Sequence, residues 1–70
     1  MDLAWGMRIT QLRRRMAEEF GPMQAAALAQ DHVFAELGGR TVDGALEAGV
    51  DAKRVWAVVC AAFNVPEERR

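Results

Sequence analysis

The sequence predicts an all-α protein: a compact bundle of four helices, the third short, with helices three and four arranged like a helix-turn-helix. Three observations carry that expectation. Glycine and proline cut the chain into segments of helical length. Within each segment apolar residues return every three or four positions. No segment alternates convincingly with the period of two that a half-buried strand requires.

The first helix is expected to begin near Thr10, a good N-cap, and to stop at Phe20-Gly21-Pro22. Ile9, Leu12, Met16 and Phe20 form its apolar stripe, while Arg13, Arg14, Arg15, Glu18 and Glu19 cover the rest. The arginine run reads as a solvated face, with Arg14/Glu18 and Arg15/Glu19 spaced for ion pairs along the helix. The second helix is expected from Pro22, a favoured first-turn residue, to Leu37, ahead of Gly38-Gly39. Helical periodicity places Met23, Ala26, Ala27, Gln30, Val33, Phe34 and Leu37 on one face. Ala25, Leu28, Ala29, His32 and Ala35 fall on the other. A helix apolar most of the way round calls for packing on both sides, by another helix or by a second copy of the chain.

The third helix should run from its N-cap Thr41 to a stop at Gly49, turning Val42, Ala45 and Leu46 inward. Gly44 in its interior lowers helical stability by about 1 kcal/mol relative to alanine, so this helix must lean on its neighbours. Asp51 then caps a fourth helix, Ala52 to about Phe63, with Val55, Val59, Ala62 and Phe63 as its core face and Trp56 at the edge. Asn64-Val65-Pro66 ends it, and the remaining EERR reads as a frayed polar tail.

The size of the chain limits its chemistry. Seventy residues make one domain at most, burying only about 60% of the surface the unfolded chain exposes. The side chains that build its single core can hardly also line a deep catalytic cleft. With 51% hydrophobic and 27% charged residues the composition is globular, and a net charge of −1 gives no general attraction to polyanions. One cysteine excludes an internal disulfide, and one cysteine with one histidine makes no metal constellation. The opening MDLAWGMR lacks the apolar run of a secretory signal, and no stretch reaches membrane-spanning length. The expected location is therefore cytoplasmic.

Residues 40–56, RTVDGALEAGVDAKRVW, match the steric pattern of a helix-turn-helix. Ala45 allows a close crossing, Gly49 permits the turn, Val50 plugs the hinge, and Val55 and Val58 seat the second helix. The outward side of that second helix carries Lys53, Arg54, Ala57, Cys60 and Ala61. Only its two cations could reach base edges, and Asp51 at the tip would be repelled by phosphates. Nucleic-acid binding is thus disfavoured, though the geometry leaves it open. Arg40, Lys53 and Arg54 could instead form a small basic corner for an acidic partner surface.

Catalysis finds little support. His32 and Cys60 are the obvious nucleophilic ingredients, yet nothing in their spacing brings them together, and Cys60 sits between Val59 and Ala61 as a buried thiol would. GGRT follows a helix rather than opening one after a strand, so it is no phosphate loop. Trp5, Trp56 and the phenylalanines read as packing residues. No cofactor, metal or small-molecule substrate is expected.

MRITQLRRRM, FGPMQA and DHVFAELGGRTVDGALEAGVDAKRVWAVVCAAFNVP together resemble a family of short actinobacterial proteins known as domain of unknown function 3046. The resemblance runs from Met7 to about Pro66. Its most specific part is Asp31-His32-Val33 through Gly38-Gly39-Arg40-Thr41, followed by Gly49-Val50, Val55-Trp56 and Cys60. It implies a small helical cytoplasmic protein with no assigned activity, whose genes often neighbour a recombinase gene, an association with DNA repair. It supplies no catalytic residue. On this footing residues 1–6 are an N-terminal extension, 7–66 a single helical domain and 67–70 a polar tail.

The leading expectation is a non-enzymatic protein-protein interaction module that binds another protein or itself, the latter as a homodimer. Its candidate contacts are Leu28, His32, Arg40, Lys53 and Arg54. The alternative is a helix-turn-helix DNA-binding or DNA-repair-associated protein.

Overall fold

The computed structural model describes residues 7–70, and the extension expected over residues 1–6, with Trp5, lies outside them. Four helices follow in order: α1 (Ile9–Phe20), α2 (Pro22–Asp31), α3 (Val42–Glu47) and α4 (Ala52–Ala62). Short 3-10 turns occur at Ala35–Leu37 and Glu67–Arg69. No strand forms among the described residues, so the all-α class holds.

The start of α1 is set by Gln11 rather than Thr10. The Gln11 Oε1 accepts the Arg8 backbone N–H at 2.9 Å, so the helix begins at Ile9 and Thr10 lies within its first turn. Leu12 and Met16 are buried, as their stripe requires, whereas Ile9 is largely exposed. Gly21, with φ of 88°, turns the chain directly into Pro22 at the head of α2.

The second helix ends six residues earlier than the periodicity suggests. His32 is extended, and its N–H donates to the Leu28 carbonyl at 3.1 Å to close the last turn. The Phe34 N–H then donates to the Arg40 carbonyl at 3.0 Å in a single antiparallel bridge, enclosing the Ala35–Leu37 turn and the left-handed pair Gly38-Gly39. This loop drives Phe34 and Leu37 into the core as efficiently as a helix would, and His-Val-Phe are weak helix formers. With Phe34 and Leu37 freed from helical phase, the face they implied for α2 disappears. The inward face is Ala25, Leu28 and Ala29, the side assigned as opposite. Met23 is 87% exposed.

The α3 N-cap is as expected, for Thr41 Oγ1 accepts the Gly44 N–H at 3.0 Å. Val42 and Ala45 are buried, with Leu46 and Val50 packed against the core. Gly49, at φ 90°, links α3 to α4, preserving the helix-turn-helix-like pair. Asp51 occupies the α4 N-cap position without a side-chain capping bond.

The phase of α4 differs from expectation at its end. Ala52, Val55, Trp56, Val59 and Cys60 are buried, so Cys60 points inward rather than outward and Trp56 is core rather than edge. Ala62 and Phe63 lie at the surface instead. Asn64 explains the shift. Its left-handed φ of 56° stops the helix, and the Val65 N–H returns to the Cys60 carbonyl at 2.9 Å in a Schellman-type closure that buries Val65.

The EERR segment is not frayed. Arg69 donates to both carboxylate oxygens of Glu19 at 3.0 and 2.8 Å. The Arg70 main-chain oxygen accepts from Arg15 at 2.6 Å and from the Trp56 indole N–H at 3.2 Å. Glu19 therefore pairs with the tail rather than along its own helix. Arg13, still exposed on its solvated face, meets Asp43 of α3 at 2.8 Å.

Candidate interaction surface

Two helices stop at the same place. His32 is the residue after α2 and Phe63 the residue after α4, and their ring centroids lie 5.3 Å apart. Phe34, delivered by the loop, packs beneath both at 4.5 Å from His32 and 6.3 Å from Phe63. Phe20 at the end of α1 meets Phe63 edge-on at 5.4 Å. These tilted and edge-to-face geometries are the ones aromatic quadrupoles favour.

The rings border a depression of about 310 Å³ lined by Gln24, Ala27, Leu28, Asp31, His32 and Phe63. Phe63 is 39% exposed, while Phe34 below it is buried. The lining holds one carboxylate and no lysine or arginine. Asp31 stands exposed on the rim, and neither α2 nor α4 carries a basic residue in its last turn to offset the negative end of its dipole.

Of the residues expected to form a contact, Leu28 and His32 belong to this depression. Leu28, however, is only 7% exposed, so it is a core residue contributing one edge to the floor rather than a projecting contact. Arg40 closes its own loop, its guanidinium donating to the Leu37 carbonyl at 3.2 Å. Lys53 and Arg54 are exposed on the first turn of α4, and neither makes a side-chain hydrogen bond or ion pair to another described residue. With a rise of 1.5 Å per residue, they stand about 15 Å along the helix from Phe63. The five residues therefore do not make one site.

Sequence reasoning missed Phe63, assigning it to the core face of α4. The signal was Asn64, a residue tolerant of left-handed backbone, which marks Phe63 as the helix cap and takes it out of helical phase. Cys60, by contrast, is fully buried. Burial first of all pushes its thiol pKa up, so the unreactive protonated form prevails. No group of three or more His, Cys, Asp or Glu side chains gathers as a metal would need among the described residues. No helix there is long and apolar enough to cross a membrane.

Fold and surface together define a small all-α protein whose exposed aromatic corner is built by helix ends. The chain belongs to the family described as protein of unknown function (DUF3046), whose family model matches residues 7–68. Comparison with curated proteins and with solved structures finds no match.

Proposed function

We propose that the chain is a non-enzymatic, cytoplasmic protein-protein interaction module whose contact face is the depression between the ends of α2 and α4. The observation that carries this reading is the exposure of Phe63 and His32 over a buried Phe34. A rigid aromatic anchor in a shallow, partly apolar hollow is the usual makeup of an interface hot spot, which arginine and aromatic residues dominate. The partner is a protein. The reading requires no cofactor, metal, membrane or small-molecule substrate.

Affinity capture from a lysate, with the wild-type chain and Phe63→Ala compared at two salt concentrations, tests it. The expected result is a defined protein retained by the wild type and lost by the variant while both stay helical by circular dichroism. Identical capture by both would remove the aromatic corner from consideration.

A second reading, DNA binding through α3 and α4, rests on their helix-turn-helix-like connection and on Lys53 and Arg54, which pair with no other described residue, at the head of α4. Burial of Cys60 leaves α4 with only exposed alanines, Ala57, Ala61 and Ala62, beyond those cations, and an alanine makes no hydrogen bond to a base edge. Duplex DNA that binds at low salt, releases steeply as salt rises and ignores Lys53→Ala/Arg54→Ala would still sink this reading.

A further inference from the structure

We infer that the aromatic depression takes a cationic side chain, an arginine before a lysine, presented beside an apolar residue by a different polypeptide; this rests on the interaction reading above. Four features converge on a cation. The Phe63 ring, beside His32, lines the mouth and can meet a cation with its π-system. Asp31 stands exposed on the rim. The carboxyl ends of two helices, α2 and α4, meet beside it at His32 and Phe63. The chain leaves this field uncompensated, for the lining contains no lysine or arginine.

The rest of the molecule behaves differently. Arg13 meets Asp43, Arg69 meets Glu19, Arg15 holds the Arg70 main-chain oxygen and Arg40 holds its loop. Four arginines thus take oxygen acceptors elsewhere in the fold, and none of them lines this corner. The apolar fraction of the floor, Ala27 and Leu28, asks for a methylene stem or an adjoining apolar residue, which a guanidinium on its stem also supplies. Arginine is preferred because its planar head stacks on rings and sheds water more readily than an ammonium.

A second copy of the chain does not fit as occupant. A twofold interface would set this face against itself, bringing Asp31 and the negative helix ends of one copy onto those of the other. The complement has to come from a surface of opposite sign.

Panning a random peptide library against the wild-type chain, Phe63→Ala and Asp31→Asn tests this. The expected result is a set of peptides that require Phe63, carry an arginine or lysine next to an apolar residue, and bind Asp31→Asn about two- to fivefold more weakly. Replacing the selected arginine by uncharged citrulline should weaken binding by a similar factor. Peptides that require Phe63 but show no enriched cation would overturn the cationic occupant and leave the interaction face standing. No Phe63-dependent peptide at all would overturn both. Asp31 is exposed and outside the core, so its variant keeps the test decisive should Phe63→Ala fold poorly. Self-association that disappears in Phe63→Ala would also count against a foreign cationic partner.

Discussion

Glu19 and Arg69 stand fifty positions apart in sequence and meet as a two-pronged ion pair, Arg69 Nε and Nη2 donating to the two carboxylate oxygens at 3.0 and 2.8 Å. The pair fastens the last turn of the chain to the end of α1. Beside it, the Arg70 main-chain oxygen takes bonds from Arg15 and from the buried Trp56. A four-residue polar ending is thus held on three sides by groups from α1 and α4.

This arrangement predicts a specific acid sensitivity. The hydrogen bond from Arg69 holds the Glu19 carboxyl below the ordinary glutamate pKa, its charge adding to the effect against an opposing cost of desolvation. A group depressed in the folded state stabilises fully above its unfolded-state pKa, and that stabilisation is lost as pH falls through the folded value. Around the pair lie Arg15 and Glu18 from α1 and Glu68 and Arg70 from the tail. Denaturant midpoints of wild type and Glu19→Gln should differ at neutral pH and converge as the pH falls below the usual carboxylate range and through the depressed Glu19 value. High salt should shrink the difference, because the Arg69 side of the pair is open to solvent. A gap that persists unchanged into acid would show that the ion pair does not stabilise the tail.

Thr41 and Gly44 make a second prediction, in which two preferences oppose each other. A Cβ at position 44 would lie 3.2 Å from Thr41 Oγ1, tight against the atom that caps the helix. Gly44→Ala gains about 1 kcal/mol of helix propensity but crowds a cap that is itself worth about 1 kcal/mol. The single substitution should be close to neutral, and Thr41→Ala should cost about 1 kcal/mol. In the Thr41→Ala background Gly44→Ala should stabilise clearly. A double-mutant cycle from chemical denaturation measures that difference, and simple additivity would refute the crowding.

How much of this could be read beforehand follows from which forces act locally. The caps at Thr41 and Gly49, the Pro22 start and the buried Val55 and Val59 were legible because each is decided within one helical turn. The end of α2 was not. A run from Pro22 to Leu37 satisfies helical period throughout, and only the bridge between Phe34 and Arg40, formed by main-chain atoms six residues apart, reveals that a loop delivers Phe34 to the core. The tail was hidden for the same reason, since Glu19 finds its partner fifty residues away rather than four. Of the candidate surface, Leu28 and His32 were visible. Phe63 was not, because its exposure depends on a single left-handed residue, Asn64, breaking the phase of α4.

Cys60 offers a probe of the core. Its side chain is fully buried and burial raises its thiol pKa, so thiolate is scarce and alkylating reagents are kept out. Modification should therefore follow global opening, slow in buffer and complete in denaturant. Cys60→Ser places a hydroxyl where no polar side chain is buried among the described residues, and should cost about 1–3 kcal/mol. Cys60→Ala should cost less. Rapid alkylation of the native chain would mean that α4 opens far more readily than its packing implies.

The two phenylalanines at the corner separate folding from binding. Phe34 is 3% exposed and packs in the core beneath His32 and Phe63, so Phe34→Ala should cost about 3–5 kcal/mol, a large share of what a domain this small possesses. Phe63 has the same side chain in the same cluster but is 39% exposed, so Phe63→Ala gives up only part of its burial and its edge contacts with Phe20 and Phe34. About 1–2 kcal/mol is expected, from the exposed fraction and from aromatic pair energies. Urea midpoints for both variants, measured at one pH, make the comparison direct. If the surface is kept for a partner, Phe63→Ala loses binding while remaining folded, and Phe34→Ala loses both together. Equal destabilisation by the two would mean that Phe63 is there to hold α1, α2 and α4 together, and the exposed ring would need no partner to explain it.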